Sequence, residues 1–185
     1  MIRTFIIIKL THVKFSKIEI GSGPNKKKGW LTLDLSRDAD LYWDLKYKMP
    51  FSENTFEIIY CSHLLEHFPY KNLKKLLIDI RRVLKKDGQF LIAVPDASIY
   101  IKSYLGYIDQ NNLQLYKPAV ISNSAMDVLN YIFYMDGEHK FMFDKNNLIY
   151  HLEQAGFSNC KTREFNPLID RFDRDYESLY VSCCK

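Results

Sequence analysis

At 185 residues and 21.9 kDa, the chain is long enough for one domain and too short for two independent ones. Hydrophobic residues at 47% against 26% charged exclude collagen-like, low-complexity and disordered chains. A formal charge of 26 minus 22, or +4, is too small to favour a nucleic-acid partner without a concentrated basic patch. The runs Lys26-Lys27-Lys28 and Arg81-Arg82 with Lys85-Lys86 read as solvated surface. Cys61, Cys160, Cys183 and Cys184 form no CxxC pair, so reduced thiols in a cytoplasmic protein are expected. The apolar stretch at 5–8, ended by Lys9, is too short for a signal-peptide core or a membrane span. The unusual feature is the aromatic share, 15% with 13 Tyr and 12 Phe.

In chain order, β-forming residues at 17–20 run into Gly21-Ser22-Gly23, which reads as a strand delivering a tight turn. A second strand is expected at 30–34 and a third at 39–44, each ending in an acidic residue. The apolar run 56–61 suits a parallel strand buried on both faces, at the sheet centre. Residues 69–86 switch to helical spacing through Leu73, Leu76, Leu77, Ile80, Val83 and Leu84, with Gly88 as the expected stop. A strand at 89–94 closes on Pro95-Asp96, a capped helix is expected at 144–155 before Gly156, and a last strand at 178–183. Between 97 and 143 rings recur at Tyr100, Tyr104, Tyr107, Tyr116, Tyr131, Phe133, Tyr134, Phe141 and Phe143. That stretch is too long for a simple loop and reads as an inserted lid, helical near 99–107 and 125–134. Strands alternating with helices give an α/β sheet in a single domain, 1–185.

Glycines at 21 and 23 let a backbone approach a ligand and offer amides to an anion. The dinucleotide pattern GxGxxG is broken by Lys26 and by the missing helix after it, which weakens a nicotinamide dehydrogenase reading. Glu19, two residues before the first glycine, together with Asp34 and Asp44 at successive strand ends, places carboxylates along one crevice. There they can accept hydrogen bonds from ribose hydroxyls or an adenine amino group.

In this order, Glu19-Ile20-Gly21-Ser22-Gly23, Gly29-Trp30, Asp34, Asp44-Leu45, Pro50-Phe51, Ser62-His63-Leu64-Leu65-Glu66-His67, Arg82-Val83-Leu84-Lys85 and Val94-Pro95-Asp96 resemble the class I S-adenosylmethionine-dependent methyltransferases of the small bacterial type 11-like kind. The resemblance covers 17–96, with weaker matches at 139–157 and 177–181. It implies a Rossmann-like sheet, mostly parallel with an antiparallel C-terminal strand, S-adenosylmethionine as cofactor, and methyl transfer to a small-molecule or glycan-type acceptor. It also implies that Gly21, Ser22 and Gly23 lie at the methionine part, Asp34 at the ribose, Asp44 with Leu45 at the adenine end, and Cys61, Ser62 and His63 near the sulfonium, with Glu19 and Leu35 also among the cofactor-binding residues. If the acceptor is a hydroxyl, His63, His67, Asp96 and His139 are the candidate proton acceptors. A binding module of the same fold without catalysis remains an alternative.

Only 24–29 separates the first two strands, so no crossover helix fits; the same holds for the gap at 35–38. Reduced helices after strands 1 and 2 leave one sheet face to be covered by residues 1–10, by the aromatic insertion or by a second subunit, as in a homodimer. His63-Leu64-Leu65-Glu66-His67 also fits HxxEH, an inverted zinc-protease pattern, but no distant third ligand is evident and no metal is expected. On this reading Glu66 and His67 hold a helix start by hydrogen bonds. The less favoured alternatives are that Asp34 is a turn-former before Ser36, that Asp44 opens a surface loop, and that Asp96 caps the chain after Pro95.

Overall fold

In the computed structural model, which describes residues 14–108 and 124–185, one seven-stranded sheet runs in the order β3-β2-β1-β4-β5-β7-β6. The strands are β1 Lys17–Ile20, β2 Leu31–Asp34, β3 Leu41–Tyr42, β4 Phe56–Ser62, β5 Leu84–Pro95, β6 Ser158–Thr162 and β7 Ser178–Cys184. β1 to β5 are parallel, and β7 runs antiparallel to both β5 and β6. Helices α1 Tyr70–Val83, α2 Ala97–Tyr104, α3 Ala125–Tyr134 and α4 Lys145–Gln154 complete the α/β architecture. The chain leaves β1 toward β3, then returns to the other side of β1 as β4. The C-terminal ends of β1 and β4 therefore flank the point where strand order reverses, the usual ligand crevice of such sheets.

The stripe Leu73, Leu76, Leu77, Ile80 and Val83 buries α1 against one sheet face, beside Leu148 and Leu152 of α4. Each such side chain contributes about 1.5–3 kcal/mol of transfer free energy. Ile18, Ile20, Ile59, Phe90, Ile92 and Val181 meet them from the sheet. α1 stops at Val83, short of the expected Lys86 and without using Gly88, because Leu84 is extended and pairs with Phe56. The helix-end carbonyls find other donors: the amides of Asn54 and Thr55 reach Arg82 and Val83, and Lys185 Nζ reaches Leu84 at 2.7 Å. Arg82 is not solvated surface. It binds Asp79 at 2.7 Å and the carbonyls of Phe51 and Met49.

The third strand shrinks from 39–44 to Leu41–Tyr42. β6 went unread because Ser158–Thr162 has exposed residues and no apolar alternation; antiparallel pairing with β7 alone makes it a strand. α3 spans the expected 125–134, capped by Ser124, and α4 follows Asp144, whose Oδ1 accepts from Asn147 N at 2.8 Å. The chain leaves the sheet at Asp96 and returns at Phe143, where the two form a parallel bridge and Ala97 N donates to Phe143 O at 2.9 Å. Within that excursion Tyr100 and Phe143 are buried, Tyr107 and Tyr134 are exposed, and Tyr116 lies outside the described residues.

As expected, no helix joins β1 to β2 or β2 to β3. Asp40 Oδ2 accepts from both the amide and the hydroxyl of Thr32, folding the short second connection back across β2. The face opposite α1 carries Trp30, Tyr60 and Leu91, all buried within the single chain. Among the described residues the cover comes from an unexpected source, the β6–β7 connection: Ile169 packs on this cluster, while Phe165 makes a tilted contact with Phe172 and an edge contact with Tyr180. Residues 1–10 lie outside the described residues, and the buried patch itself does not call for a second subunit. No helix among the described residues is long and apolar enough to cross a membrane.

Lys27, read from its run as solvated, is the rivet of this face. Its ammonium sits 3.1 Å from Glu19 Oε2, 2.8 Å from the carbonyl of Ile169 and 4.3 Å from the centre of the Tyr60 ring. Burial raises the Glu19 carboxyl above its usual range, and Lys27 opposes that. Lys27→Met strands a buried charge and should cost about 3 kcal/mol in urea unfolding at neutral pH. It also lifts the folded-state pKa of Glu19 further above the unfolded one, so the penalty appears as pH rises and should fade below about pH 4. Equal losses at pH 4 and pH 7 would show that Lys27 acts through packing alone.

Candidate active site

The crevice begins where β1 ends. Gly21 has φ 69°, donates its amide to Leu33 O at 2.8 Å, and leaves no room for a Cβ, which would lie 2.6 Å from Leu64 Cδ1. Gly23 has φ 59° and open space where a side chain would be. Its amide donates to Asp34 Oδ2 at 2.9 Å, and Ser36 N donates to Asp34 Oδ1 at 2.7 Å. Asp34 is thus the turn-former of the plainer reading and also the clasp between the glycine turn and β2. Each oxygen keeps a lone pair for a further donor. Ser22 is buried, its hydroxyl donating to Gly23 O at 3.2 Å.

The other expected crevice residues divide. Asp44 Oδ1 accepts from Lys46 N at 2.9 Å, a local turn beside β3, and Leu45 is buried in the α1 core rather than displayed. Leu35 is exposed, at the β2 end. Glu19 lies beneath Lys27. Cys61 belongs to the α1-side core, where burial pushes its thiol well up, so it does not join the crevice. Ser62 and His63 do stand at the β4 end, where His63 takes the left-handed conformation, φ 50°, that non-glycine residues rarely adopt.

His63 also lines a cavity of about 390 Å³ at the ends of β4 and β5, with Glu66, His67, Tyr131, His139, Arg174 and Glu177 among its walls. Three of the four expected proton acceptors therefore meet; Asp96 does not, because its Oδ1 caps α2 through Ser98 N at 2.9 Å. The Ser178 hydroxyl donates to Arg174 O at 2.6 Å, so it accepts from His63 Nε2 at 2.8 Å and leaves Nδ1 bare. Burial first, then Arg174, holds His63 well below its usual pKa, hence neutral. Burial likewise lowers His67 and His139.

Glu66, expected to hold a helix start by hydrogen bonds, instead holds the return segment, its main-chain carbonyl accepting from Lys140 N at 2.7 Å and Phe141 N at 3.1 Å. Its side chain is fully buried, and among the described residues neither carboxylate oxygen has a hydrogen-bond partner of normal geometry. Burial pushes that carboxyl up to about 8, opposed in part by its own amide and by Arg174. Glu177 is also buried and takes the Tyr100 hydroxyl from α2. The sequence did not reveal Tyr131, Arg174 or Glu177 as site residues. Glu66 had one signal, the HxxEH spacing.

Residues 13–162 match a family described as a methyltransferase domain. An uncharacterized protein of Methanocaldococcus jannaschii is 32% identical over 80 residues, which cover 43% of this chain and 32% of that protein, so the match spans about a third of the relative. Among solved structures, a SAM-dependent methyltransferase from Archaeoglobus fulgidus is similar with a TM-score of 0.59 and 16% identity, over 91% of this chain and 85% of that one. The 1,6-didemethyltoxoflavin-N1-methyltransferase of Burkholderia thailandensis, solved with its namesake compound and S-adenosylhomocysteine, is similar with a TM-score of 0.57 and 14% identity, over 91% of this chain and 70% of that one.

The two glycines of the turn should respond differently to a methyl group. Gly21→Ala adds a displacement of Leu64 to the strain of a left-handed backbone, whereas Gly23→Ala adds the strain alone, about 1–2 kcal/mol. Thermal unfolding should therefore rank Gly21→Ala as the more damaging. The reverse order would mean that Gly21 and Leu64 are not in contact.

Proposed function

The chain belongs to the methyltransferase-domain family, and from that premise we propose that it transfers the methyl group of S-adenosylmethionine to a small-molecule or glycan-type acceptor held in the histidine-lined cavity. The observation that carries this reading is the adjacency of two spaces. His63 ends the strand that flanks the crevice and is also a wall of the cavity, so a group seated at the β1 and β4 ends faces an acceptor across one residue.

When bound, the cofactor supplies an electrophilic methyl carbon on a sulfonium. The protein's task is then to align an acceptor lone pair with the carbon–sulfur bond and keep water out. The Gly21 to Gly23 turn admits the methionine end at backbone distance. Asp34, with one lone pair free on each oxygen, accepts the ribose hydroxyls, and Asp44, in the turn after β3, borders the adenine, while the Leu45 side chain stays in the core. Ser62 and His63 lie toward the sulfonium. His63, kept neutral by burial, presents an unprotonated nitrogen to a proton leaving the acceptor. His67 and His139 stand behind it, and Asp96, engaged as a helix cap, is left out of the proton chemistry. The excursion 97–143 places Tyr131 and His139 on the acceptor side, which supports its reading as a lid. The Burkholderia enzyme's name specifies a small heterocyclic compound, which supports an acceptor of that size.

Calorimetric titration tests the cofactor: heat with S-adenosylmethionine or S-adenosylhomocysteine and none with NAD is expected, and the opposite pattern defeats the proposal. Asp34→Ala should weaken cofactor binding by about 1–3 kcal/mol, the cost of a charge-assisted hydrogen bond. Asp34→Asn keeps one oxygen for the Gly23 amide but sets an amino group against Ser36 N, so thermal unfolding measured beside the affinity separates loss of the ribose contact from collapse of the turn. Unchanged affinity in a folded Asp34→Asn protein would remove Asp34 from the ribose.

A further inference from the structure

We propose that Glu66, His67 and His139 bind one divalent metal ion of the zinc class at the wall of the acceptor cavity. One ligand atom from each lies within 4.8 Å of the other two. Zinc bound tetrahedrally at about 2.0–2.1 Å sets its ligands roughly 3.3 Å apart, so the side chains need close by no more than about 1.5 Å. His67 is the one free to move, with its side chain 34% exposed.

The hydrogen bonds behind the cluster make each of its two histidines an acceptor. His67 Nδ1 lies 3.3 Å from the carbonyl of Glu138, and His139 Nδ1 lies 2.5 Å from the carbonyl of Ile132. A carbonyl can only accept, so each Nδ1 carries the proton and each Nε2 presents a lone pair. This is how metal-binding histidines are ordinarily oriented, through the ring nitrogen remote from the ion. Glu66 Oε1 is 3.9 Å from His67 Nε2, and also 3.9 Å from the bare Nδ1 of His63. Among the described residues no Lys or Arg makes an ion pair with Glu66; Arg174, in the cavity wall, acts on it only at longer range and donates to the Ser62 carbonyl at 3.1 Å.

A fully buried carboxylate with both oxygens unpartnered, surrounded by imidazole lone pairs, lacks a cation, and two imidazoles with one carboxylate are a ligand set that zinc-class ions accept. The sequence pattern HxxEH points at this place for a different reason from the one it suggests. Glu66, not His63, joins His67, and the third ligand arrives from the far side of the 97–143 excursion, where Lys140 N and Phe141 N hold that return segment onto the Glu66 carbonyl. Three protein ligands leave a fourth position toward the cavity. On the methyl-transfer reading, on which this last step rests, that position selects an acceptor with an oxygen donor, a hydroxyl or carbonyl.

The test strips the purified 185-residue protein with a chelator, restores it with zinc or cobalt(II) chloride, and measures metal content by mass spectrometry and affinity by competition with a chromophoric chelator. One equivalent of zinc is expected, with visible cobalt bands that mark histidine and carboxylate ligation. Glu66→Gln and His67→Ala should each weaken binding at least tenfold, while His151→Ala, a histidine outside the cluster, leaves it unchanged. Should Glu66→Gln fail to fold, the partly exposed His67 carries the comparison. No stoichiometric zinc or cobalt, or undiminished affinity in the His67→Ala protein, overturns the proposal. Binding of S-adenosylhomocysteine by the metal-free protein keeps the two readings separate: its presence without a metal site defeats the metal alone, and its absence beside an intact metal site defeats the methyl-transfer reading alone.

Discussion

Two backbone amides on one carboxylate hold this fold open at its working edge. Gly23 N and Ser36 N both donate to Asp34, tying the turn after β1 to the end of β2 in a stretch where parallel strands normally rely on a crossover helix. Without that clasp the glycine turn would have only its Leu33 bond and its contact with Leu64 to define it. The crevice exists because a short connection was made rigid by polar groups instead of by packing.

The same economy of chain shapes the two sheet faces. One is a conventional apolar layer under α1 and α4. The other is thin, and its stability passes through a buried ion pair, Lys27 with Glu19, roofed by the β6–β7 connection. That connection has a second duty, because its next residues, Arg171 and Arg174, enter the cavity wall. Closing the bare face and completing the cavity wall are therefore one structural act, which couples the fold to the cavity.

What could be read from sequence follows from which interactions are local. The period of α1, the apolar run of β4, the cap of α4, and the missing helices after β1 and β2 are properties of neighbouring residues, and each stands as expected. The errors lie where a distant partner decides. Lys27 looks like one of three solvated lysines until Tyr60 and Ile169 surround it. Leu84 looks like the last turn of a helix until Phe56 pairs with it. Cys61 looks like a crevice residue until the strand's alternation turns it to the core. At the crevice, the glycine turn after β1 and the strand ends beside it could be read because each is set by neighbouring residues. The meeting of Glu66 with His139 could not, since it needs the excursion to close through the Asp96 and Phe143 bridge.

The central claim is that the crevice at the β1 and β4 ends and the histidine-lined cavity are two halves of one reaction space. A crystal structure with S-adenosylhomocysteine tests it most directly. The account predicts ribose hydroxyls on Asp34 and a thioether sulfur turned toward His63 and the cavity. A nucleoside seated elsewhere, or a sulfur facing away from His63, would contradict it.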